Sequence, residues 1–548
     1  MRIALAQLNF IIGNFEYNYK KIADSIEKAK NEKADIVIFS ELAICGYPPH
    51  DLLEQKSFVE KCKVWIEKIA DLCDNVAAVV GGPTINPNSE GKILYNSAFF
   101  LFNKKIQYIY HKALLPTYDI FDEYRYFEPG KEFQTVAFKN KKMAITICED
   151  LWDNPPIENP FGRNRLYTVS PMDFFHSQKP DFIINIAASP FDYNKIKIKE
   201  EIFTAHAAKH KLPLFYVNQV GAHTDLIFDG GSLIVNSNGQ VVDSLNLFKE
   251  DFRVYELENL VKAKQISIEA PEISKIHDAL VLGIEDYFRK TGLKSAIVGL
   301  SGGIDSAVTL TLAVKALGNK NVRALLMPSK YSSEHSVKDA EELANRLDVK
   351  HDILPIQKSF DVISGSLKPI FEGLKEDITE ENIQARIRGM FLMALSNKFG
   401  NILLNTSNKS EIAVGYGTLY GDMGGGLSVL GDVYKTYVYR LANYINREQE
   451  IIPENIIKKP PSAELKPNQK DTDSLPEYGL LDAILYRYIE QQKNCDEIIK
   501  EGFEKSLVQK IVKMVNSNEY KRFQTPPILR ISSKAFGFGR KMPIVAKY

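Results

Sequence analysis

Apolar and polar residues follow two recognisable spacings along the first half of the chain. Short apolar runs of strand length are separated by longer segments whose apolar residues recur at helical spacing. Helices are predicted around residues 22–29 and 51–72, and strands at residues 3–6, 36–39, 76–80, 97–102, 106–110, 143–147, 182–186, 214–217 and 233–235. Asn238-Gly239 predicts a hairpin turn into a further strand at 240–244. These elements indicate one α/β domain that ends near residue 258.

A second series of strands and helices follows an irregular segment. Residues 259–274 are mixed in character and contain Pro271, so we interpret them as a linker between domains at 1–258 and 275–548. Beyond the linker, the pattern predicts a helix at 276–288 and strands at 296–300, 322–327, 352–356 and 402–405. Alternating strands and helices are typical of a parallel, doubly wound sheet. No sequence repeat is evident.

Residues 458–476 stand apart because they are rich in Pro, Ser, Asp and Lys and carry no clear periodicity. A loop of this length inside a compact domain is usually a functional lid, and disorder is the alternative. We therefore predict a lid in this segment.

Composition and charge narrow the class of protein. The 548 residues are 45% hydrophobic and 25% charged, which suits a globular protein with large cores. Acidic and basic residues balance at 69 each, so we predict no nucleic-acid partner. The five cysteines include no CxxC pair, and no uninterrupted apolar segment is long enough to cross a membrane. A cytoplasmic protein without a membrane partner is the interpretation that fits.

A glycine-rich string lies between the predicted strand at 296–300 and a predicted helix at 306–317. It consists of Gly299, Leu300, Ser301, Gly302, Gly303, Ile304, Asp305 and Ser306. Glycines let backbone N–H groups converge on an anion at a helix N-terminus, so the string predicts a phosphate-binding loop. No lysine follows the glycines, unlike in a Walker loop. The alternative is an ordinary turn in which Asp305 caps the helix.

Asp305 adds a second expectation at the same loop. A carboxylate beside a triphosphate is repelled unless a cation lies between them, which makes Asp305 a candidate Mg²⁺ ligand. The string SGGIDS at 301–306 resembles the pyrophosphatase-loop family, whose members split ATP into AMP and pyrophosphate while adenylating a substrate. The resemblance implies ATP as a co-substrate and an adenine-nucleotide alpha-hydrolase-like fold for the second domain.

Three chemically capable residues each follow a predicted strand of the first domain: Glu41, Lys112 and Cys148. Strand ends meet at one rim of an α/β sheet, where such domains build their sites. An amide-cleaving cysteine needs a base to take its proton and a cation to stabilise the oxyanion that forms. Glu41 can supply the base and Lys112 the cation. Taken singly, each could instead be a buried or surface residue. His111 points to the opposite face of its strand from Lys112, so both cannot serve one rim.

Local strings around these residues resemble the nitrilase superfamily. They are FSEL at 39–42, HKALLP at 111–116 and ICEDLW at 147–152, in that order along the first half. The resemblance implies an αββα sandwich in which Glu41 is the general base, Lys112 the oxyanion stabiliser and Cys148 the nucleophile. It also implies four residues that bind glutamine or support the triad, namely Tyr118, Glu123, Ser189 and Lys195.

The two domains together are similar to the glutamine-dependent NAD synthetases. The second half carries matching strings: NIQARIRG at 382–389, NTSNKSE at 405–411, YGD at 420–422, PSAEL at 461–465 and YKR at 520–522. The resemblance implies deamido-NAD at Asn382, Glu411 and Lys521, ATP also at Thr406, and Mg²⁺ at Asp305 and Glu411. It implies L-glutamine, ATP and deamido-NAD as substrates, no redox cofactor and a homo-oligomer. Residues 461–476 would then close over the adenylate.

Several alternatives stay open at this point. Arg386 and Arg388 lie two apart on a predicted helix and cannot share a face, so at least one is expected at the surface. Glu411 and Lys521 could form a plain ion pair. An amidotransferase acting on XMP, an RNA-binding protein and a nucleotide sensor without turnover are the rival functions. Because free ammonia is protonated in water and loses its nucleophilicity, a sealed passage between the two sites is expected.

Overall fold

The computed structural model describes residues 1–154, 166–267, 270–467 and 469–547. The chain divides into two compact units, Met1–Ala270 and Pro271–Tyr548. The 3₁₀ turn Leu257–Lys262 lies in the first unit, and the first helix of the second unit begins at Glu272. The predicted linker at 259–274 thus spans the division.

The first unit contains strands and helices in alternation. Its strands are β1 (Arg2–Gln7), β2 (Ile36–Ile38), β3 (Ala77–Ile85), β4 (Leu94–Phe102), β5 (Lys105–His111), β6 (Val136–Phe138), β7 (Lys141–Ile147), β8 (Phe182–Ala187), β9 (Leu214–Asn218), β10 (Val220–His223), β11 (Leu226–Asp229), β12 (Leu233–Val235), β13 (Val241–Ser244) and β14 (Asp251–Glu256). Its helices are α1 (Phe15–Asn31), α2 (Lys56–Ala70), α3 (Glu123–Tyr126), α4 (Pro171–Ser177) and α5 (Lys195–His210).

Two sheets pack face to face in this unit. One has the strand order β14-β1-β2-β3-β4-β5 and the other the order β13-β12-β9-β8-β7-β6. Alternate residues of β1 face opposite ways: Ile3 and Leu5 join the core between the sheets, while Ala4 and Ala6 join the core beneath α1 and α2. On the side of the second sheet, helix α5 contributes Phe203 to the core cluster that also contains Ile3 and Leu5. The predicted αββα sandwich is confirmed.

The second unit is built on one parallel sheet. Its strands are β15 (Ser295–Gly299), β16 (Val322–Leu326), β17 (Lys350–Ile353), β18 (Asn401–Asn405) and β19 (Leu427–Ser428). Its helices are α6 (Glu272–Thr291), α7 (Ile304–Leu317), α8 (Glu334–Arg346), α9 (Gln357–Leu367), α10 (Ile378–Phe399), α11 (Lys409–Val414), α12 (Lys435–Ile445), α13 (Glu454–Lys458), α14 (Tyr478–Ile489), α15 (Cys495–Lys500), α16 (Lys505–Ser517) and α17 (Glu519–Arg522).

The strand order β17-β16-β15-β18-β19 places the first strand of the series in the middle. The chain builds outward to β17 and then returns to the other side of β15, and the pairings are parallel. The predicted doubly wound sheet is confirmed. Its reversal point lies between the carboxyl ends of β15 and β18, where open α/β sheets bind ligands.

Some predicted elements differ from the structure. The predicted helix at 51–72 is wrong in its first turn: His50–Glu54 is a 3₁₀ turn, and extended backbone at Gln55 separates it from α2. The sequence pattern did not predict the hairpin β10–β11, whose strands are short, or strand β14, although its Phe252 and Val254 alternate with polar residues. Strand β14 forms because it pairs antiparallel with β1, a partner nearly the whole unit away in sequence. Within the described residues, no helix is both long enough and apolar enough to span a bilayer.

Candidate functional site

Glu41, Lys112 and Cys148 follow β2, β5 and β7, as the strand-end argument predicts. The Lys112 ammonium lies 2.7 Å from Glu41 Oε1, and both side chains are fully buried. Cys148 is also buried, and the charges of Glu41 and Lys112 both act on its thiol. The structure therefore brings the three residues into one buried cluster.

The Glu41 carboxylate is held on both oxygens. Asn96 Nδ2 donates to Oε1 at 2.7 Å, and the Ala188 backbone N–H donates to Oε2 at 3.0 Å. Glycine at position 81 allows the loop that carries Glu41 to approach strand β3, because a Cβ at this position would lie 2.3 Å from the backbone nitrogen of Leu42. The carboxylate orientation is thus fixed by packing as well as by hydrogen bonds.

Lys112 is shared between two carboxylates. Its Nζ donates to both oxygens of Glu123 at 2.8 Å, and the Tyr47 hydroxyl donates to Glu123 Oε1 at 2.9 Å. Burial alone would lower the pKa of Lys112, but the charges of Glu123 and Glu41 outweigh it and raise that pKa well above its usual value. Lys112 is consequently a permanent cation. Glu123 therefore supports Lys112 as a second anionic partner besides Glu41.

Cys148 occupies a strained position directly after β7. Its φ is +42°, and it begins the 3₁₀ turn Cys148–Leu151. Burial, followed by the charge of Glu41, raises the pKa of the thiol well above its usual value, although Lys112 opposes them. The resting group is therefore a neutral thiol beside a carboxylate, which suits proton removal by Glu41 during attack.

The predicted glutamine-site residue Tyr118 contacts a further carboxylate that the sequence argument missed, that of Glu149. Glu149 Oε1 accepts hydrogen bonds from the hydroxyls of Tyr118 at 2.8 Å and Tyr167 at 2.9 Å. Burial raises the pKa of Glu149, and the charge of Lys195 is among the effects that lower it. Lys195 begins α5, and Ser189 donates its backbone N–H to Asn218 Oδ1 at 2.8 Å. The signal for Glu149 was its place directly after the cysteine.

His111 has a structural partner outside the cluster. Its Nδ1 lies 2.8 Å from Ser97 Oγ, and its ring stacks on Tyr95 with the centroids 4.2 Å apart. Burial lowers the pKa of His111 to about 4, so the ring is neutral near pH 7. These contacts agree with the expectation that His111 and Lys112 serve different faces.

The glycine-rich string connects β15 to α7. Gly302 has a φ of +79°, and a Cβ there would lie 2.2 Å from the Ser336 carbonyl oxygen, so only glycine fits. Ser306 Oγ accepts from the Ser301 backbone N–H at 3.2 Å and donates to the Gly303 carbonyl at 3.0 Å. The loop is thereby held open at the N-terminus of α7, where unpaired N–H groups favour an anion.

A cavity of about 280 Å³ lies against this loop, at the reversal point of the sheet. Its walls include seven residues of the string, namely Gly299, Leu300, Ser301, Gly303, Ile304, Asp305 and Ser306. The predicted ATP residue Thr406 and the predicted metal residue Glu411 also line it. Gly302 is absent from the wall because it packs against α8 instead. The size and polarity of this cavity suit a nucleotide.

Lys435 lies between Asp305 and Glu411, and nothing in the sequence marked it. Its ammonium forms ion pairs with Asp305 Oδ2 and, at 3.5 Å, with Glu411 Oε1, while Asn408 Nδ2 donates to Asp305 Oδ1 at 2.9 Å. Burial, followed by the charge of Asp305, raises the pKa of Glu411. In this structure Lys435 is the cation that offsets the repulsion between these two partly buried carboxylates.

The donor set at this point fits Mg²⁺. Carboxylate oxygens are hard ligands, and Mg²⁺ usually combines one or two of them with substrate phosphates and water. Among the described residues, no group of three or more acidic, histidine or cysteine side chains has a metal-binding arrangement. Asp305 and Glu411 would therefore hold such a metal only together with further oxygen ligands, such as phosphates and water.

The predicted deamido-NAD residues other than Glu411 contact the segment 415–418. Asn382 Oδ1 accepts from the Thr418 hydroxyl at 2.7 Å. Lys521 Nζ donates to the carbonyls of Gly415 and Gly417, both at 2.8 Å. The alternative of a plain Glu411–Lys521 ion pair is therefore wrong. Glu411 pairs with Lys435 instead.

The two arginines of α10 separate as the helical spacing predicts. Arg386 is exposed and donates to the Leu419 carbonyl at 3.3 Å. Arg388 lines the cavity, donates to the Met327 carbonyl at 3.1 Å, and has its pKa lowered to about 10 by burial. Arg388 is thus the one that faces the site.

The predicted lid segment at 458–476 contributes residues 459–465 and Asp471 to the cavity wall, and Asn468 lies outside the described residues. Glu464 accepts hydrogen bonds from Ser333 Oγ at 3.1 Å and Ser336 Oγ at 2.7 Å, and pairs with Lys459 at 2.6 Å. Gln384 Nε2 donates to the Leu465 carbonyl at 3.0 Å. The segment thus lies over the cavity and is anchored to α8 and α10.

Comparison with known proteins agrees with this arrangement. The family model for carbon-nitrogen hydrolases matches residues 2–154, and the family model for NAD synthases matches residues 276–525. The chain is 44% identical over 556 residues to the glutamine-dependent NAD(+) synthetase of Synechocystis, covering 100% of this chain and 99% of the relative. It is 39% identical over 585 residues to that of Thermotoga maritima, with the same coverage.

Solved structures show the same relation. The glutamine-dependent NAD+ synthetase from Acinetobacter baumannii, determined with ADP, aligns with a TM-score of 0.76 at 37% identity and covers 99% of this chain and 98% of that chain. The enzyme from Cytophaga hutchinsonii, at 20% identity and a TM-score of 0.84, supports the fold alone. From this identity over its full length, the chain belongs to the family of glutamine-dependent NAD+ synthetases.

Proposed function

We propose that the protein converts deamido-NAD to NAD with ATP and L-glutamine, releasing AMP, pyrophosphate and glutamate. One observation carries the proposal: a single chain holds the buried Glu41–Lys112–Cys148 cluster in one unit and a nucleotide-sized cavity with Asp305 and Glu411 in the other. The first arrangement suits release of ammonia from an amide, and the second suits activation of a carboxylate by adenylation.

Glutamine hydrolysis begins with the neutral Cys148 thiol. Glu41 takes the thiol proton as the sulfur attacks the side-chain amide carbon, and Lys112 stabilises the oxyanion that forms. The C–N bond then breaks, the proton passes to the departing ammonia, and a γ-glutamyl thioester remains on Cys148. Water activated by Glu41 hydrolyses the thioester to glutamate.

Recognition of glutamine uses the charged groups beside the cluster. Lys195 pairs with the substrate carboxylate, and Glu149 receives the substrate ammonium at the oxygen that the two tyrosine hydroxyls leave free. Tyr118 and Ser189 complete the pocket. Glu123 acts on Lys112 rather than on the substrate, since both of its oxygens accept hydrogen bonds from that ammonium.

ATP binds at residues 299–306 and Thr406, with its phosphates at the N-terminus of α7. Asp305 and Glu411 would hold Mg²⁺, which when bound would offset negative charge on the triphosphate. The nicotinate carboxylate attacks the α-phosphorus and releases pyrophosphate. Ammonia then attacks the acyl carbon of the adenylate, and the carboxamide forms as AMP leaves and a proton is lost.

Deamido-NAD lies beside the segment 415–418, with Glu411 at the same wall of the cavity. Asn382 and Lys521 hold that segment through Thr418, Gly415 and Gly417. The segment 461–476 excludes water from the adenylate, which would otherwise be hydrolysed.

We propose a homo-oligomer that works in the cytoplasm. Large apolar side chains are exposed along α9, the start and middle of α10, and the segment between them: Val362, Ile370, Leu374, Ile378 and Met390. These five side chains come from consecutive segments of the chain, and clustered exposed apolar residues usually mark an interaction surface. All five cysteines are free thiols, which suits a reducing compartment. Light scattering on the purified protein tests the first statement, and a monomer would contradict it.

The function is tested with purified protein, ATP, MgCl₂, deamido-NAD and L-glutamine. NAD, AMP, pyrophosphate and glutamate are expected in equal amounts. Absence of NAD, or amidation of XMP in its place, would refute the proposal. An ammonium salt in place of glutamine gives the matched control, because it bypasses Cys148 and reports the second unit alone.

A further inference from the structure

Asp150 is a fully buried carboxylate two residues after the nucleophile, and no step of the proposed reaction uses it. Its Oδ1 accepts hydrogen bonds from the backbone N–H groups of Ala113 and Leu114, both at 3.0 Å. These two residues directly follow Lys112. One oxygen of Asp150 thus fixes the backbone at the end of β5.

The other oxygen of Asp150 fixes the end of a second strand. Oδ2 accepts from the Ile147 backbone N–H at 2.9 Å and from the Tyr110 hydroxyl at 2.9 Å. Ile147 is the last residue of β7 and directly precedes Cys148. One side chain therefore joins the backbone next to Lys112 and the backbone next to Cys148, although β5 and β7 belong to different sheets.

The charge state of Asp150 is consistent with this arrangement. Burial raises its pKa to about 6, and the hydrogen bonds from Ile147 and Leu114 oppose the rise. At pH 7.5 the group is therefore mainly a carboxylate, which can accept all four bonds. Burying a charge is costly. The nearby charge of Lys112 and the four donors offset that cost, and the donors do so only while the two strand ends keep their present separation.

We infer that Asp150 is a positioning residue of the glutaminase site, one that sets the separation and orientation of Lys112 and Cys148 by joining the ends of β5 and β7. The inference rests on the glutamine hydrolysis proposed for those two residues. The hydrogen bond from the Ile147 N–H also fixes the 146–147 peptide, which leads into Cys148 and its φ of +42°.

Replacing the carboxylate by an amide of the same shape separates its two roles. In Asp150→Asn, the amide nitrogen cannot accept, so it must face one of the two pairs of donors. The Tyr110 hydroxyl can rotate to accept a hydrogen bond, whereas backbone N–H groups cannot. The amide nitrogen is therefore expected at the Oδ2 position, and the bond to Ile147 beside Cys148 is lost.

The experiment measures glutamine-dependent and ammonia-dependent NAD synthesis by full-length Asp150→Asn. We expect the glutamine-dependent kcat to fall by about 10- to 100-fold, the size of effect that a small misplacement of reacting groups produces. The KM for glutamine and the ammonia-dependent rate should stay near wild type, because the glutamine-binding side chains and the second unit are untouched. Alkylation of Cys148 by iodoacetamide, followed by mass spectrometry, should slow in parallel.

Asp243→Asn is the matched control for a general loss of stability. Asp243 lies on the edge strand β13 and accepts hydrogen bonds from Arg253 at 3.0 Å and Tyr255 at 2.8 Å. Its variant should lower the unfolding temperature without lowering the glutamine-dependent kcat. An unchanged kcat in Asp150→Asn, or a fall that Asp243→Asn reproduces, would overturn the inference.

Tyr110→Phe keeps the inference testable if Asp150→Asn does not fold. It removes one of the four hydrogen bonds and leaves the carboxylate in place, so a smaller fall in the glutamine-dependent kcat is expected with unchanged ammonia-dependent synthesis. An unchanged kcat in Tyr110→Phe would count against the inference in that case. Failure of the proposed function is distinguishable, because wild-type protein would then show no glutamine-dependent NAD synthesis at all.

Discussion

At the scale of single residues, the buried charges of the first unit decide which chemistry is available. Lys112 faces two carboxylates, and these keep it charged although it has no access to solvent. In the proposed hydrolysis, the neutral Cys148 thiol beside them reacts only when Glu41 accepts its proton. Activation is therefore tied to the attack itself, which limits side reactions of a standing thiolate.

Lys112→Gln tests the oxyanion role. We expect the glutamine-dependent kcat to fall by about 100- to 1000-fold, the usual cost of losing one oxyanion donor, while ammonia-dependent synthesis persists. Lys199→Gln is the control, because Lys199 is buried in the same unit and pairs with Asp229 at 3.0 Å. It should lower stability with a much smaller effect on kcat. Equal losses in the two variants would show that only the buried charge matters.

Glu411→Gln tests the metal site. Removing one carboxylate should raise the MgCl₂ concentration that gives half-maximal ammonia-dependent synthesis by about tenfold or more, since the remaining carboxylate is a poorer partner. Glu490→Gln is the control, because that buried carboxylate pairs with Lys409 instead. A Mg²⁺ requirement that is unchanged in Glu411→Gln would place the metal elsewhere.

Sequence reasoning found some of these residues and missed others for a physical reason. Glu41, Lys112 and Cys148 each follow an apolar strand, so their meeting at one rim could be predicted. Lys435 could not be predicted, because it lies 130 residues from Asp305 and reaches it only through the packing of α12. Asp150 lies within the string ICEDLW at 147–152, but its role could not be predicted. Its hydrogen bonds from Ala113 and Leu114 depend on how the two sheets face each other.

At the scale of elements, the turn between β15 and α7 depends on a residue without a side chain. Gly302→Ala should reduce both glutamine-dependent and ammonia-dependent synthesis at least about tenfold, because the new methyl would overlap the Ser336 carbonyl at a positive φ. Gly365→Ala in α9 meets no atom within 4 Å and should leave both activities unchanged. Retained synthesis in Gly302→Ala would mean that the loop does not bind the phosphates.

Strand β5 carries a partly buried histidine that couples stability to pH. The pKa of His111 is lowered to about 4 by burial, so between pH 6.5 and 4 the unfolded chain binds a proton that the folded chain does not. Stability should therefore fall as the pH decreases through this range. The unfolding temperature of the wild type should fall more between pH 7.5 and pH 5.0 than the unfolding temperature of His111→Gln. His50 is exposed, and the His50→Gln variant is the control that should behave as wild type. If the unfolding temperature changed equally with pH in all three proteins, His111 would not be the residue responsible.

The elements themselves were predictable to different degrees. Strands such as β7 and β8 are buried runs of branched apolar residues, and their positions followed from the sequence. Strand β14 was not predicted, because its burial is only partial and its pairing with β1 is a long-range event. The break between His50–Glu54 and α2 arises from local backbone conformation that the apolar spacing does not report.

At the scale of the whole molecule, one chain combines two reactions that share only ammonia. The nitrilase-like unit makes the nitrogen nucleophile, and the NAD synthase unit makes the electrophile that receives it. Ammonia is mostly protonated in neutral water, so direct transfer between the two reactions would conserve its reactivity. Zero formal net charge fits an enzyme of small substrates, since no large basic field is needed.

The most direct test of the central claim follows the nitrogen atom. Purified protein is supplied with ATP, MgCl₂, deamido-NAD and glutamine labelled with ¹⁵N at its side-chain amide, and the NAD formed is analysed by mass spectrometry. We predict that wild type places ¹⁵N in the nicotinamide amide, and that Cys148→Ala forms NAD from ammonium chloride but none from glutamine. Unlabelled NAD from wild type, or labelled NAD from Cys148→Ala, would contradict the account.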